Sequence, residues 1–208
     1  METVKKPLSI KIIYWLTNIT FWIYVAAATL LSVLAISFMM GVLDSAQLHV
    51  GMPISVNILE KGTLDVGDTF IGIQLVEMTG KIHFIDTPVF IGQIYSVFIM
   101  CIVLISFYIF WLFRQFINHI YRGNYFDRDN IASLKKIAYA LVGIWGFTVI
   151  YGYFQYFYLA INMNFDTIEI TSDVHTYPIT LVVALLIWVL SHIFSKGCEL
   201  QEETNYTI

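Results

Sequence analysis

Charged side chains are scarce in this chain and missing from long stretches of it. Aspartate, glutamate, lysine and arginine make up 12% of the 208 residues, and none occurs in Ile12–Leu43, Thr87–Phe113, Ile137–Phe165 or Val174–Ser195. With a mean hydropathy of +0.74, the composition excludes a water-soluble globular domain. Cysteine is nearly absent as well. Cys101 falls within the second apolar run and Cys198 just past the fourth, so much of a bilayer would separate them. That rules out a disulfide framework and leaves two isolated apolar or interfacial thiols. The motifs of common chemistry are missing too: there is no phosphate-binding loop, no nucleophile elbow, no His-Glu-x-x-His and no intramembrane carboxylate pair. His49, His83 and His175 lack zinc-ligand spacing and read as solvated surface side chains. No catalytic residue, cofactor or metal is expected, and a net charge of −4 gives no reason to expect direct nucleic-acid binding.

Each charge-free run reaches the roughly 20 residues that a helix needs to cross a bilayer. The fold class is therefore an α-helical integral membrane protein, with four transmembrane helices and a small extracytoplasmic β-rich insert. The first run is too long for a signal-peptide core, and Leu43-Asp44-Ser45 is a poor cleavage site, so a retained helix is expected. The first and last residues carry no lipidation signal. If the N-terminus is cytoplasmic, Lys5, Lys6, Lys11, Arg114, Arg122, Arg128, Lys135, Lys136 and Lys196 lie inside and only Lys61 and Lys81 outside. That bias of nine to two points to a multi-pass inner-membrane protein with both termini in the cytoplasm.

The expected division is a first span within 1–43, an extracytoplasmic cap over 44–88, a second span over 89–113 and a cytoplasmic loop over 114–136. A third span over 137–163, an outer loop over 164–177, a fourth span over 178–196 and a cytoplasmic tail over 197–208 complete it. Within the cap, Ile54, Val56 and Ile58 alternate with polar residues. The β-branched and aromatic stretches Phe70–Val76 and Lys81–Ile85 flank Thr79-Gly80, which predicts a hairpin turning there, with further turns at Gly62 and Gly67. So small a cap is expected to pack on the outer helix ends. Thr167–Thr171 alternates in the same way and is a candidate extra strand.

In the cytoplasmic loop, Asp127 is placed to cap a helix, with Phe126 stapled to Ile131 and Asp129 in the first turn. Gly143, Gly146 and Gly152 are expected to permit close helix approach. Gly197 suits the end of the fourth helix unless it runs on through Glu199–Glu203. Among intramembrane polar residues, Gln155, Asn162 and His192 have two readings: functional groups, or structural interhelical and interfacial partners. A basic loop beside an acidic tail likewise reads either as a consequence of topology or as a docking surface.

Two segments carry a family resemblance. Gly123-Asn124-Tyr125-Phe126-Asp127-Arg128-Asp129-Asn130-Ile131, followed by Leu134, is one. Leu190–Glu203 with Phe194, Gly197 and Glu199-Leu200, closing on Asn205-Tyr206-Thr207-Ile208, is the other. Together they resemble the bacterial domain of unknown function 2975, small proteins with four membrane helices; the exterior insert is longer here, and Tyr206 departs from the family's ending. The biochemistry of that family is not established. Its members are often encoded beside a small helix-turn-helix regulator, which implies a membrane protein that binds or controls such a partner. The expected partners are thus the lipid bilayer and a cytosolic helix-turn-helix regulator, held by Phe126, Asp127, Asn130, Glu199, Leu200, Glu202, Glu203, Thr207 and Ile208. The alternative is a small transporter or export-accessory subunit, with a hydrated path lined by Thr148, Gln155 and Asn162.

Overall fold

The computed structural model describes residues 7–43, 51–67, 69–84, 86–123, 127–163, 169–170 and 176–206. Four long helices dominate: α1 (Leu8–Met39), α2 (Val89–Arg122), α3 (Arg128–Phe154) and α4 (Ile179–Tyr206). All four are long and apolar enough to cross a membrane. Prolines precede three of them, Pro7 at α1, Pro88 at α2 and Pro178 at α4, where a missing backbone N–H costs nothing. At the far end of α2, Gly123 takes φ +95°, and its N–H bonds the carbonyls of His119 and Ile120. That left-handed cap suits glycine and turns the chain toward α3.

The second and fourth helices are longer than their apolar runs, and the third starts well before its own. At 1.5 Å per residue the 34 residues of α2 extend about 51 Å, against a hydrocarbon layer of about 30 Å. The segment 114–136, expected as a cytoplasmic loop with an amphipathic helix start at Asp127, is helical already up to Arg122, and its second helix begins at Arg128 as expected. Of the two endings open to the fourth helix, the structure has the longer: α4 continues to Tyr206, because Glu, Leu and Gln keep a helix going and one glycine costs it only about 1 kcal/mol. One end of the bundle, here the terminal end, thus carries both helix termini and the α2–α3 turn.

Each helix packs on the next in chain order. On α1 the buried positions are Thr17, Phe21, Ala28 and Ala35, a stripe that settles into a seven-residue repeat. Such a stripe keeps facing one partner when two helices wind gently around each other. Phe21 and Tyr24 meet Phe110 of α2, and Tyr14 stacks on Tyr121 at 4.1 Å. Between α2 and α3, Phe98 sits among Phe147, Tyr151 and Phe154. On α4 the buried residues Ala184, Ser191 and Cys198 recur every seven positions, and their small side chains let α3 come close.

Two of the α3 glycines expected to do the same do not. A Cβ added at Gly143 or Gly146 would meet nothing within 4 Å. Beyond Phe154 the helix widens into a π-turn over Gln155–Leu159 and ends as a 3-10 turn over Ala160–Asn162.

The insert is one long two-stranded ribbon, β1 (Gly51–Val66) paired antiparallel with β2 (Thr69–His83), with β3 (Glu169–Ile170) added to β1 at Val56 and Asn57. The expected extra strand is present at Glu169–Ile170. The expected turn at Thr79-Gly80 is not: both residues lie within β2, opposite Ser55 and Ile54. Gly62 likewise lies within β1, opposite Ile73. The reversal instead uses Gly67, whose φ of +64° is the left-handed conformation that a tight hairpin needs. Val56 and Ser55 are buried where β3 joins, whereas the distal half is exposed, Phe70 by 74%. That half does not pack on helix ends as expected, because β1 and β2 are long enough to satisfy each other's backbone groups away from the bundle.

These packing relations lead to a paired prediction. Gly143→Ala and Gly146→Ala each raise stability in detergent by up to about 1 kcal/mol, the helix-propensity difference. Ser191→Leu instead lowers it by about 1–3 kcal/mol through overpacking against α3. Thermal unfolding of the purified variants measures both signs.

Candidate functional site at the terminal end

Asp127 begins α3 in an extended conformation (φ −113°, ψ 140°), and its carboxylate accepts a hydrogen bond from the Asp129 N–H at 3.3 Å. The cap is where the sequence places it. Phe126, and with it the expected staple to Ile131, lies outside the described residues, as do Thr207 and Ile208. Behind the cap the first turn of α3 is deeply seated: Asn130 is 0% exposed, and Ile131, Ser133 and Leu134 are buried. Asn130 therefore belongs to the interior and not to a docking surface, because helix periodicity turns it toward the neighbouring helices while Arg128 and Asp129 face out.

Opposite this turn runs the end of α4. Arg128 Nη2 donates to both carboxylate oxygens of Glu202, at 3.0 and 3.2 Å. Both side chains are largely exposed, so the pair orients two surfaces more than it stabilises them. One turn earlier, Lys196 Nζ donates to Glu199 at 2.8 Å, and that bond holds the Glu199 carboxyl below its usual range. Between the two helices lies a cleft of about 240 Å³ lined by Arg128, Ile131, Ser195, Cys198, Glu199 and Glu202. Its floor is small, apolar at Ile131 and Cys198 and polar at Ser195, and its rim is charged. Burial, then the carboxylates of Glu202 and Asp127, push the Cys198 thiol up.

Of the residues expected to act together, the structure gathers Asp127, Glu199 and Glu202 around this cleft. Leu200 is exposed but off it, and Glu203 lies on the next turn of α4. Ile131, Ser195 and Cys198 form the floor and are not among the residues expected at the site from sequence. The signal was there: Cys198 continues the seven-residue repeat of Ala184 and Ser191 into the polar tail.

The intramembrane polar residues singled out from sequence find partners close by in the chain, whereas Tyr24 and Gln93 bond across α1 and α2, to the carbonyls of Val103 and Met39. Thr148 Oγ1 donates to the Trp145 carbonyl, Gln155 Nε2 to the Tyr151 hydroxyl and Asn162 Nδ2 to the Tyr158 carbonyl. His192 Nδ1 lies 3.0 Å from the Trp188 carbonyl on α4. Thr148, Gln155 and Asn162 thus each have a partner on the same stretch of chain and need no shared hydrated path. His83 is exposed, and His49 and His175 lie outside the described residues. Among the described residues no three His, Cys, Asp or Glu side chains are grouped to hold a metal.

Asp127→Ala removes the only side-chain cap of α3 in the site and should cost about 1 kcal/mol. Glu202→Gln breaks only an exposed pair and should cost less than about 0.5 kcal/mol. Unfolding of each variant in the same detergent gives the ranking.

Comparison with known proteins supplies a family and no activity. No curated protein and no solved structure matches the chain. A family model described as a protein of unknown function (DUF2975) matches residues 71–208, which begin within β2 and take in α2, the α2–α3 turn, α3 and α4 with the whole cleft, but leave out α1 and β1. With about two thirds of its length matched, this four-helix membrane protein belongs to the DUF2975 family.

Proposed function

We propose that the protein is a non-enzymatic anchor in the bacterial inner membrane that binds a cytosolic protein at the terminal end of its bundle. The nine-to-two distribution of basic residues supports placing that end in the cytoplasm. The observation that carries the reading is the α3–α4 cleft, with a floor of Ile131, Ser195 and Cys198, a rim of Arg128, Glu199 and Glu202, and a helix that continues past it to Tyr206. Past the level of Arg128, Glu203–Tyr206 form a further turn of α4 beyond the first residue of α3. A projecting acidic helix beside a small cleft suits a basic partner that inserts one or two side chains. A small helix-turn-helix regulator has that chemistry, since its DNA-facing surface is basic. Binding there would hold the regulator at the membrane and compete with DNA for the same charge.

The test is co-purification of the full-length protein with the helix-turn-helix regulator encoded beside it. Truncation after Gly197 should abolish recovery of the regulator. The pair Glu199→Lys and Glu202→Lys, which keeps the helix while reversing its charge, should reduce recovery about tenfold or more. Undiminished recovery by both variants would remove the cleft and tail from the binding surface.

A further inference from the structure

Arg114 is the first charge after the apolar run of α2, and it does not point freely into water. Its Nε donates to Asn18 Oδ1 of α1 at 2.8 Å, and Asn18 Nδ2 in turn donates to the Tyr14 carbonyl at 2.9 Å, which fixes the amide. The guanidinium carbon lies 4.4 Å from the centre of the buried Phe21 ring and 5.7 Å from that of Trp22. Trp22 is 62% exposed, so the guanidinium sits at an edge of the α1–α2 groove that faces lipid. Its depth is bracketed by rings. Phe107 and Phe110 meet Phe21 on the apolar side, and the Tyr14–Tyr121 stack lies on the polar side. That is the level at which hydrocarbon gives way to headgroups.

Among the described residues no carboxylate answers this charge. Neither α1 nor α2 contains an aspartate or glutamate, and Arg114 belongs to neither of the two ion pairs among the described residues. One Nε–H is committed to Asn18, while the two Nη groups keep four N–H donors in a planar fork. A guanidinium so held, orientated by an amide and backed by an aromatic face, matches an acceptor with two oxygens and a negative charge.

We infer that Arg114, Asn18, Phe21 and Trp22 form a binding site for the phosphate of an anionic phospholipid in the leaflet at the terminal end. The Nη groups hold two phosphate oxygens, and Trp22 lies against the glycerol and upper acyl chain. This site lies on the α1–α2 side of the bundle, and the inference does not depend on the proposed partner or on the orientation of the chain.

The experiment titrates full-length protein in a neutral detergent with phosphatidylglycerol or phosphatidylcholine, following bound lipid by native mass spectrometry and stability by thermal unfolding. The wild type should bind phosphatidylglycerol about tenfold tighter, as expected for a charge-assisted bidentate contact. Arg114→Ala should lose that preference and Arg114→Lys should keep only part of it. Arg122→Ala, an exposed cation at the end of the same helix, should keep all of it. Should Arg114→Ala fail to fold, Asn18→Ala retains the charge but frees its orientation and should weaken the preference. Equal binding of the two lipids by the wild type overturns the assignment, as does an unchanged preference in both Arg114→Lys and Asn18→Ala. Inorganic phosphate added to lipid-free protein separates the two sources of the anion. Stabilisation equal to that by phosphatidylglycerol would make this a free-anion site, and no stabilisation supports the lipid.

Discussion

In hydrocarbon an unpaired peptide N–H or C=O has no water to turn to and costs several kcal/mol, so a spanning segment must close its hydrogen bonds within itself. Everything else in this protein follows from how four such segments are joined. Helices that satisfy their own backbone need only shallow contacts with one another. Here they make them through narrow stripes: Thr17, Phe21, Ala28 and Ala35 on α1, and Ala184, Ser191 and Cys198 on α4. Most large apolar side chains of the spans are left facing out, which in water would drive aggregation and in lipid is the resting condition.

The surplus length of the helices gives the terminal end its chemistry. A helix that outruns the bilayer carries its regular geometry into the headgroup layer and beyond, so polar side chains there are held by a rigid scaffold. Arg114 meets Asn18 because α1 and α2 remain paired up to the Tyr14–Tyr121 stack. Arg128 meets Glu202 because α3 starts under a helix that has not yet ended. The ribbon end is organised differently. There β1 and β2 satisfy each other, and the distal half extends with its apolar side chains uncovered.

Local signals were legible wherever one physical effect dominated. The cap at Asp127 and the extra strand at Glu169–Ile170 are both where the sequence puts them, because capping and alternation act over a few residues. Other local signals misled. Thr79-Gly80 and Gly62 look like turns, yet the length of β1 carries the pairing straight past them. Gly143 and Gly146 look like contact points, and nothing comes near them. Asn130 looks like a surface polar residue at a loop, and the helix phase set by Asp127 turns it inward. In each case the residue type was read correctly and its neighbours were not, since those neighbours lie far away in the chain.

The sequence by itself determined the four helical spans and the membrane class, because hydrophobic length and charge exclusion act residue by residue and need no partner. Only the tertiary structure decided which polar residues meet. Arg114 and Asn18 are separated by 96 positions and Arg128 and Glu202 by 74, and their pairing depends on the register in which one helix slides against the next. That register is set by many weak side-chain contacts spread along the stripes, and no short stretch of sequence contains them.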